Sequence, residues 1–276
     1  MKTKKLSLLW QIKGGGLAQP AYIFGTMHVR DQRVFQHVEQ LKGCIQQCDN
    51  FAAEFDLTRT EEQMQGQGFW YKPEFSLKKA LNKNVYLKLA VIFKRETQSL
   101  LKHFDSFLPL AINNLLTDTQ FTHDNNSSLD EELAQFAQIE QKKIWGLETF
   151  ASQAVILQKI PIAQQLKTLK SLANNFYKTK KQLKRVTEFY LNGDIVQLLR
   201  LVKKTAGDMK QVLLYNRNQT MAEKILEIGK TGSLFAAFGA GHLAGAKGVL
   251  RLLKQAGCSV EALPYGRVVG SERSGE

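Results

Sequence analysis

Short apolar runs with strand character stand at both ends of this chain and in its middle, and long helical patterns fill the intervals. "LSLLWQI" (6–12) and "AYIFGTM" (21–27) open the chain, and "DNFAAEFDL" (49–57) follows one helix. "KIWGLE" (143–148) comes much later, and "GSLFAAFGAG" (232–241) lies near the end. Strands so far apart can join one sheet only through connections that carry helices. The order therefore predicts an α/β fold, a mixed central β-sheet flanked by helices, in a single domain over residues 1–265. Two long helical insertions are expected, at about 58–140 and 151–229. The tail from Gly266 to Glu276 has charge and glycine but little to bury, and is expected to be disordered.

Local signals set the elements. Gly14, Gly15, Gly16 and Pro20 separate the first two strands, which predicts a hairpin. A glycine run can also cradle phosphate, but that use needs a following helix, and here a strand follows. Val34, Val38, Leu41 and Ile45 recur at helical spacing. "SSLDEELAQFAQIEQKK" has a serine able to cap it, acidic residues in its first turn, and a stripe of Leu129, Leu133, Phe136 and Ile139. The helical pattern of 151–229 breaks near "LNGD" (191–194).

Composition excludes some classes. A hydrophobic share of 43% is enough for a sizeable core, and no apolar run reaches the roughly 20 residues that span a bilayer. The apolar run at the start is too short for a secretory signal, so a cytoplasmic protein is expected. Cys44, Cys48 and Cys258 make an odd set, read as reduced structural thiols. The net charge of +13 attracts any polyanion without regard to identity. Its densest stretch, "LKTLKSLANNFYKTKKQLKRV", is an amphipathic helical pattern without a nucleic-acid motif, so it reads as a solvated face and no specific nucleic-acid partner is expected.

The strands end in groups that bind metals or move protons: His28, Glu54, Glu148 and His242. In open α/β sheets, ligands bind beyond the carboxyl ends of the strands, where distant residues converge. Two imidazoles and one or two carboxylates there would make an open His, His, Glu site with room for a water. Both histidines close a Gly-x-x-His motif, and Gly25, Gly239 and Gly241 would let the backbone turn sharply and approach a ligand. The other three histidines, His37, His103 and His123, share no such spacing. A rival reading takes "FGAGHLAG" with Glu261 as a dinucleotide fingerprint, but one glycine interval is a residue too long for it.

Taken together, "YIFGTMHV", "AAEFD", "LDEELAQFAQIEQKKIWGLETFASQ", "NRNQTMAEKI" and "AFGAGHLAGAKGVLRLLKQAGCSV" resemble the TraB/GumN family. That family includes the Tiki proteases and is similar in fold to the erythromycin esterase and ChaN group. The resemblance spans roughly residues 8–265. It implies that His28, Glu54 and His242 hold a divalent ion, manganese or cobalt, with zinc also suited. It implies hydrolysis of a peptide or other small substrate. Glu54, Glu148 and Arg217 match the family's polar positions and are the candidate catalytic residues, Glu148 as general base or as a group that orients a ligand, and Arg217 as oxyanion or carboxylate partner, with an ion-pair or helix-surface arginine as its alternative. The family also contains pheromone-shutdown proteins, so a peptide-binding protein without catalysis is the alternative. Dinucleotide binding is the second alternative.

Overall fold

The computed structural model describes residues 7–56, 70–121 and 123–265. Six strands form one mixed sheet in the order β4-β3-β5-β2-β1-β6. They are β1 (Leu9–Gly14), β2 (Ala21–Thr26), β3 (Asn50–Phe55), β4 (Lys143–Glu148), β5 (Leu234–Gly239) and β6 (Cys258–Ala262). The four strands β4, β3, β5 and β2 are neighbours and run parallel, while β1 is antiparallel to both β2 and β6. The hairpin forms as the glycine run predicts: Gly14, Gly15 and Gly16 all take positive φ, the region in which only glycine is unstrained.

Helices α1 (Val38–Gln46) and α5 (Leu129–Ile139) pack on the sheet, as do α10 (Asn216–Gly229) and α11 (Val249–Gln255). Between them come α2 (Leu77–Ala80), α3 (Lys83–Thr97), α4 (Pro109–Asp118), α6 (Phe150–Gln158), α7 (Ile162–Asn174), α8 (Phe176–Leu191) and α9 (Ile195–Ala206). The sheet interior is apolar throughout, with Ile23, Phe24, Phe51, Phe235 and Phe238 fully buried, and the rings of Phe51 and Phe235 stack at 6.0 Å. Parallel strands buried on both faces need such unbroken apolar runs, which is why β3 and β5 read as runs and not as alternations.

The helical segments build a second apolar cluster of their own. Leu77, Leu89, Phe93, Ile112 and Leu116 of one segment pack with Leu169, Leu172 and Phe176 of the other. The last helix of the first segment behaves differently. Ser128 caps α5 in a capping box with Glu131, and Leu129, Leu133 and Ala137 join the sheet core. The expected break near 191–194 separates α8 from α9. Among the described residues no helix is long and apolar enough to cross a membrane. The expected disordered tail lies outside the described residues.

Candidate functional site

Because β4, β3, β5 and β2 are parallel neighbours, their carboxyl ends stand side by side, and each carries or precedes one of the polar groups read from the sequence. Glu54 lies near the end of β3, Glu148 closes β4, His28 follows β2, and His242 ends a single 3-10 turn after β5.

Arg217, in the first turn of α10, joins the two glutamates. Its Nε donates to both oxygens of Glu148 at 3.0 and 2.9 Å, and its Nη2 donates to Glu148 Oε2 at 2.5 Å and to Glu54 Oε1. The side chains are 11% (Arg217), 3% (Glu148) and 22% (Glu54) exposed, so this is a largely desolvated ion triad with one opening, at Glu54. Burial alone would raise the Glu54 carboxyl. Arg217, His242 and the Gly239 N–H, which donates to Oε2 at 3.3 Å, reverse that and hold it below the usual carboxylate range. Burial likewise disfavours the guanidinium charge, but the two carboxylates outweigh it and Arg217 stays cationic.

His242 is buried beside the triad. Its Nδ1 lies 2.5 Å from Asn218 Oδ1, and the Asn218 amide donates to the Lys247 carbonyl at 2.6 Å, which fixes which end of the amide accepts. Nδ1 therefore carries the proton and Nε2 keeps its lone pair. Burial, aided by the Arg217 charge and opposed by Glu54, brings the imidazole down to about 4, so it is neutral near pH 7. The Cδ2 edge of the ring, which adjoins Nε2, and Glu54 Oε2 each lie 3.5 Å from the point where Gly239 would carry a Cβ. Gly239 thus leaves the gap between base and carboxylate open.

The other two glycines serve a different purpose from the expected ligand approach. A Cβ on Gly25 would meet Leu243 Cδ1 at 2.5 Å, and one on Gly241 would meet Val202 Cγ2 at 2.7 Å, so both are small because the chain itself packs there. Neither has positive φ, and neither does Gly239.

His28 stands apart from the triad. Its side chain is 72% exposed, with Nδ1 3.6 Å from Asp130 Oδ2 at the start of α5. Thr26 Oγ1 donates to the other oxygen of Asp130 at 2.5 Å. The interaction with Asp130 raises the His28 pKa against the opposing effect of partial burial. Glu148 has both oxygens engaged by Arg217, an arrangement that suits holding the guanidinium better than taking a proton from water. Among the described residues no group of three or more His, Cys, Asp or Glu side chains is gathered to hold a metal ion.

Asn218 and Asp130 are not among the residues the sequence points to, though Asn218 leaves a signal. It heads the buried stripe Met221, Ala222, Ile225 and Ile228 of α10, and a polar residue on a buried stripe needs a partner. The dinucleotide reading loses its acidic partner: β6, which carries Glu261, lies beyond β2 and β1 from β5, three strand spacings or about 14 Å away.

The model of the TraB/PrgY/gumN family matches residues 8–262, which is most of the chain. The chain belongs to this family. Among curated relatives, the Metalloprotease TIKI2 of Xenopus tropicalis is 26% identical over 95% of this chain and 60% of its own length. The Metalloprotease TIKI2 of Danio rerio is 24% identical over 94% of this chain and 61% of its own. The Metalloprotease TIKI1 of Xenopus tropicalis is 25% identical over 98% of this chain and 64% of its own. The chain thus spans about three fifths of the length of the curated relatives it matches. No solved structure gives a significant match.

Proposed function

We propose that this TraB/PrgY/gumN chain is a hydrolase with peptides as its substrate class, working at the strand-end cluster. The observation that carries the reading is His242: buried, in its base form near pH 7, tied at Nδ1 to Asn218, with its Nε2 edge beside Glu54. The names of the relatives support the class, since each is called a metalloprotease. The free thiols of Cys44, Cys48 and Cys258 accord with a reducing compartment, and we assign the chain to the cytoplasm.

Those names imply a metal ion, and the family resemblance implies a divalent one such as manganese or cobalt, with zinc also suited. His28, Glu54 and His242 have the donor chemistry for one. Their placement does not fit a resident ion: Arg217 already neutralises Glu54, and His28 pairs with Asp130. The side chains themselves supply a route. Water enters by the exposed side of Glu54, and Nε2 of His242 takes one of its protons as the oxygen attacks the substrate carbonyl. Glu54 stabilises the imidazolium that forms, and Arg217 offers its charge to the developing oxyanion. When the carbon–nitrogen bond breaks, the imidazolium returns the proton to the leaving amine. Glu148 holds Arg217 in place throughout.

The test is turnover and binding of an internally quenched peptide by the wild type and Glu54→Gln, each with and without a chelator. Turnover in Glu54→Gln is expected to fall by about 100-fold or more, with binding retained within a few-fold. Turnover that resists chelation supports the side-chain route, whereas turnover lost on chelation and restored by manganese or cobalt replaces it with the three-donor metal site. Binding without turnover in the wild type identifies a peptide-capturing protein instead.

A further inference from the structure

A cavity of about 370 Å³ opens among α4, α7, α8 and α9, within the range that holds small ligands. It is lined by the stretch whose lysines read from the sequence as a solvated face. Lys167 of α7 and Lys204 of α9 stand on its wall, Gln164 and Thr168 add amide and hydroxyl groups, and Leu183 and Leu201 supply apolar surface. Among the described residues no carboxylate lines it, and neither lysine has an ion-pair partner. Two uncompensated ammonium groups on a concave wall concentrate positive potential where an anion would sit.

We propose that this cavity is a second binding site and that its ligand is a short acidic peptide. The lysines take its carboxylates, the amide and hydroxyl side chains supply both donors and acceptors for peptide groups, and the leucines cover an apolar side chain. The cavity also touches the helix that backs the strand-end cluster. Leu201 and Lys204 of α9 line the cavity, while Leu199 and Val202 of the same helix lie against Gly245 and Gly241, on either side of His242.

Calorimetric titration of the full chain with N-acetyl-Leu-Glu and with its uncharged diamide tests the proposal. The measurement reads binding alone, so it stands whether or not the strand-end cluster hydrolyses anything. Both lysines are exposed, so Lys167→Gln/Lys204→Gln leaves the fold intact, and Lys78→Gln/Lys230→Gln removes the same charge elsewhere. The acid is expected to bind saturably, one per chain. Its affinity is expected to exceed that of the diamide by about tenfold or more, and to fall as much in the cavity variant while the control stays within about twofold. Absence of saturable binding, equal affinity for the diamide, or equal losses in the two variants overturns the proposal.

Discussion

Arg217→Ala is expected to destabilise the fold by about 3–5 kcal/mol, the range for removing one partner from a buried charge cluster. The alanine leaves two carboxylates, Glu54 and Glu148, close together with no cation between them, and Glu148 has almost no access to water. Such a pair recovers by binding a proton, so the deficit should shrink as the pH falls and should shrink again in Arg217→Ala/Glu148→Gln. Urea midpoints of the three proteins near pH 7 and pH 5 measure it. A loss below about 1 kcal/mol near pH 7 would mean that the triad is a surface ion pair in solution.

Acid sensitivity follows from the neighbouring histidine. His242 titrates at about 4 in the folded chain and near 6.5 when unfolded, so between those values the unfolded state binds more protons. Stability from this group is complete above pH ~6.5 and is lost as the pH falls towards 4, a drop on the order of 3 kcal/mol. Glu54, whose folded pKa is also depressed, adds a further loss at lower pH. His28 acts in the opposite sense, because its raised pKa gives stability that fades as the pH rises, but its exposure keeps that small. The expected result is a steep stability decline between pH 6.5 and 4.5 in the wild type and a much flatter one in His242→Gln. Parallel declines would place the titration elsewhere.

The sheet was legible because buried strands must be apolar. The runs around Phe24, Phe51 and Phe235 marked β2, β3 and β5, and glycines and caps marked their ends. The polar residues at those ends were legible for the same reason, since Glu54 or His242 after an apolar run is conspicuous. How they pair was not. The reach of Arg217 across to Glu54 and Glu148 depends on where α10 crosses the sheet, and no spacing in sequence encodes that distance. The turn of His28 towards Asp130 depends on α5 seating its capped first turn beside β2, another contact between segments about 100 residues apart. The sequence predicts that Gly25 and Gly241 admit a ligand, but Leu243 and Val202, which crowd them, come from packing that only the folded chain reveals. The lysines of α7 and α8 read as a solvated face because helical periodicity shows which face is polar, not whether two polar faces enclose a cavity.

Under the proposed function, the base after β5 and the glutamates at the ends of β3 and β4 form one hydrolytic site. Peptide turnover by His242→Ala, measured beside the wild type with circular dichroism to confirm the fold, tests it most directly. Turnover is expected to fall by about 100-fold or more while the fold persists. Undiminished turnover in a folded His242→Ala chain would contradict it.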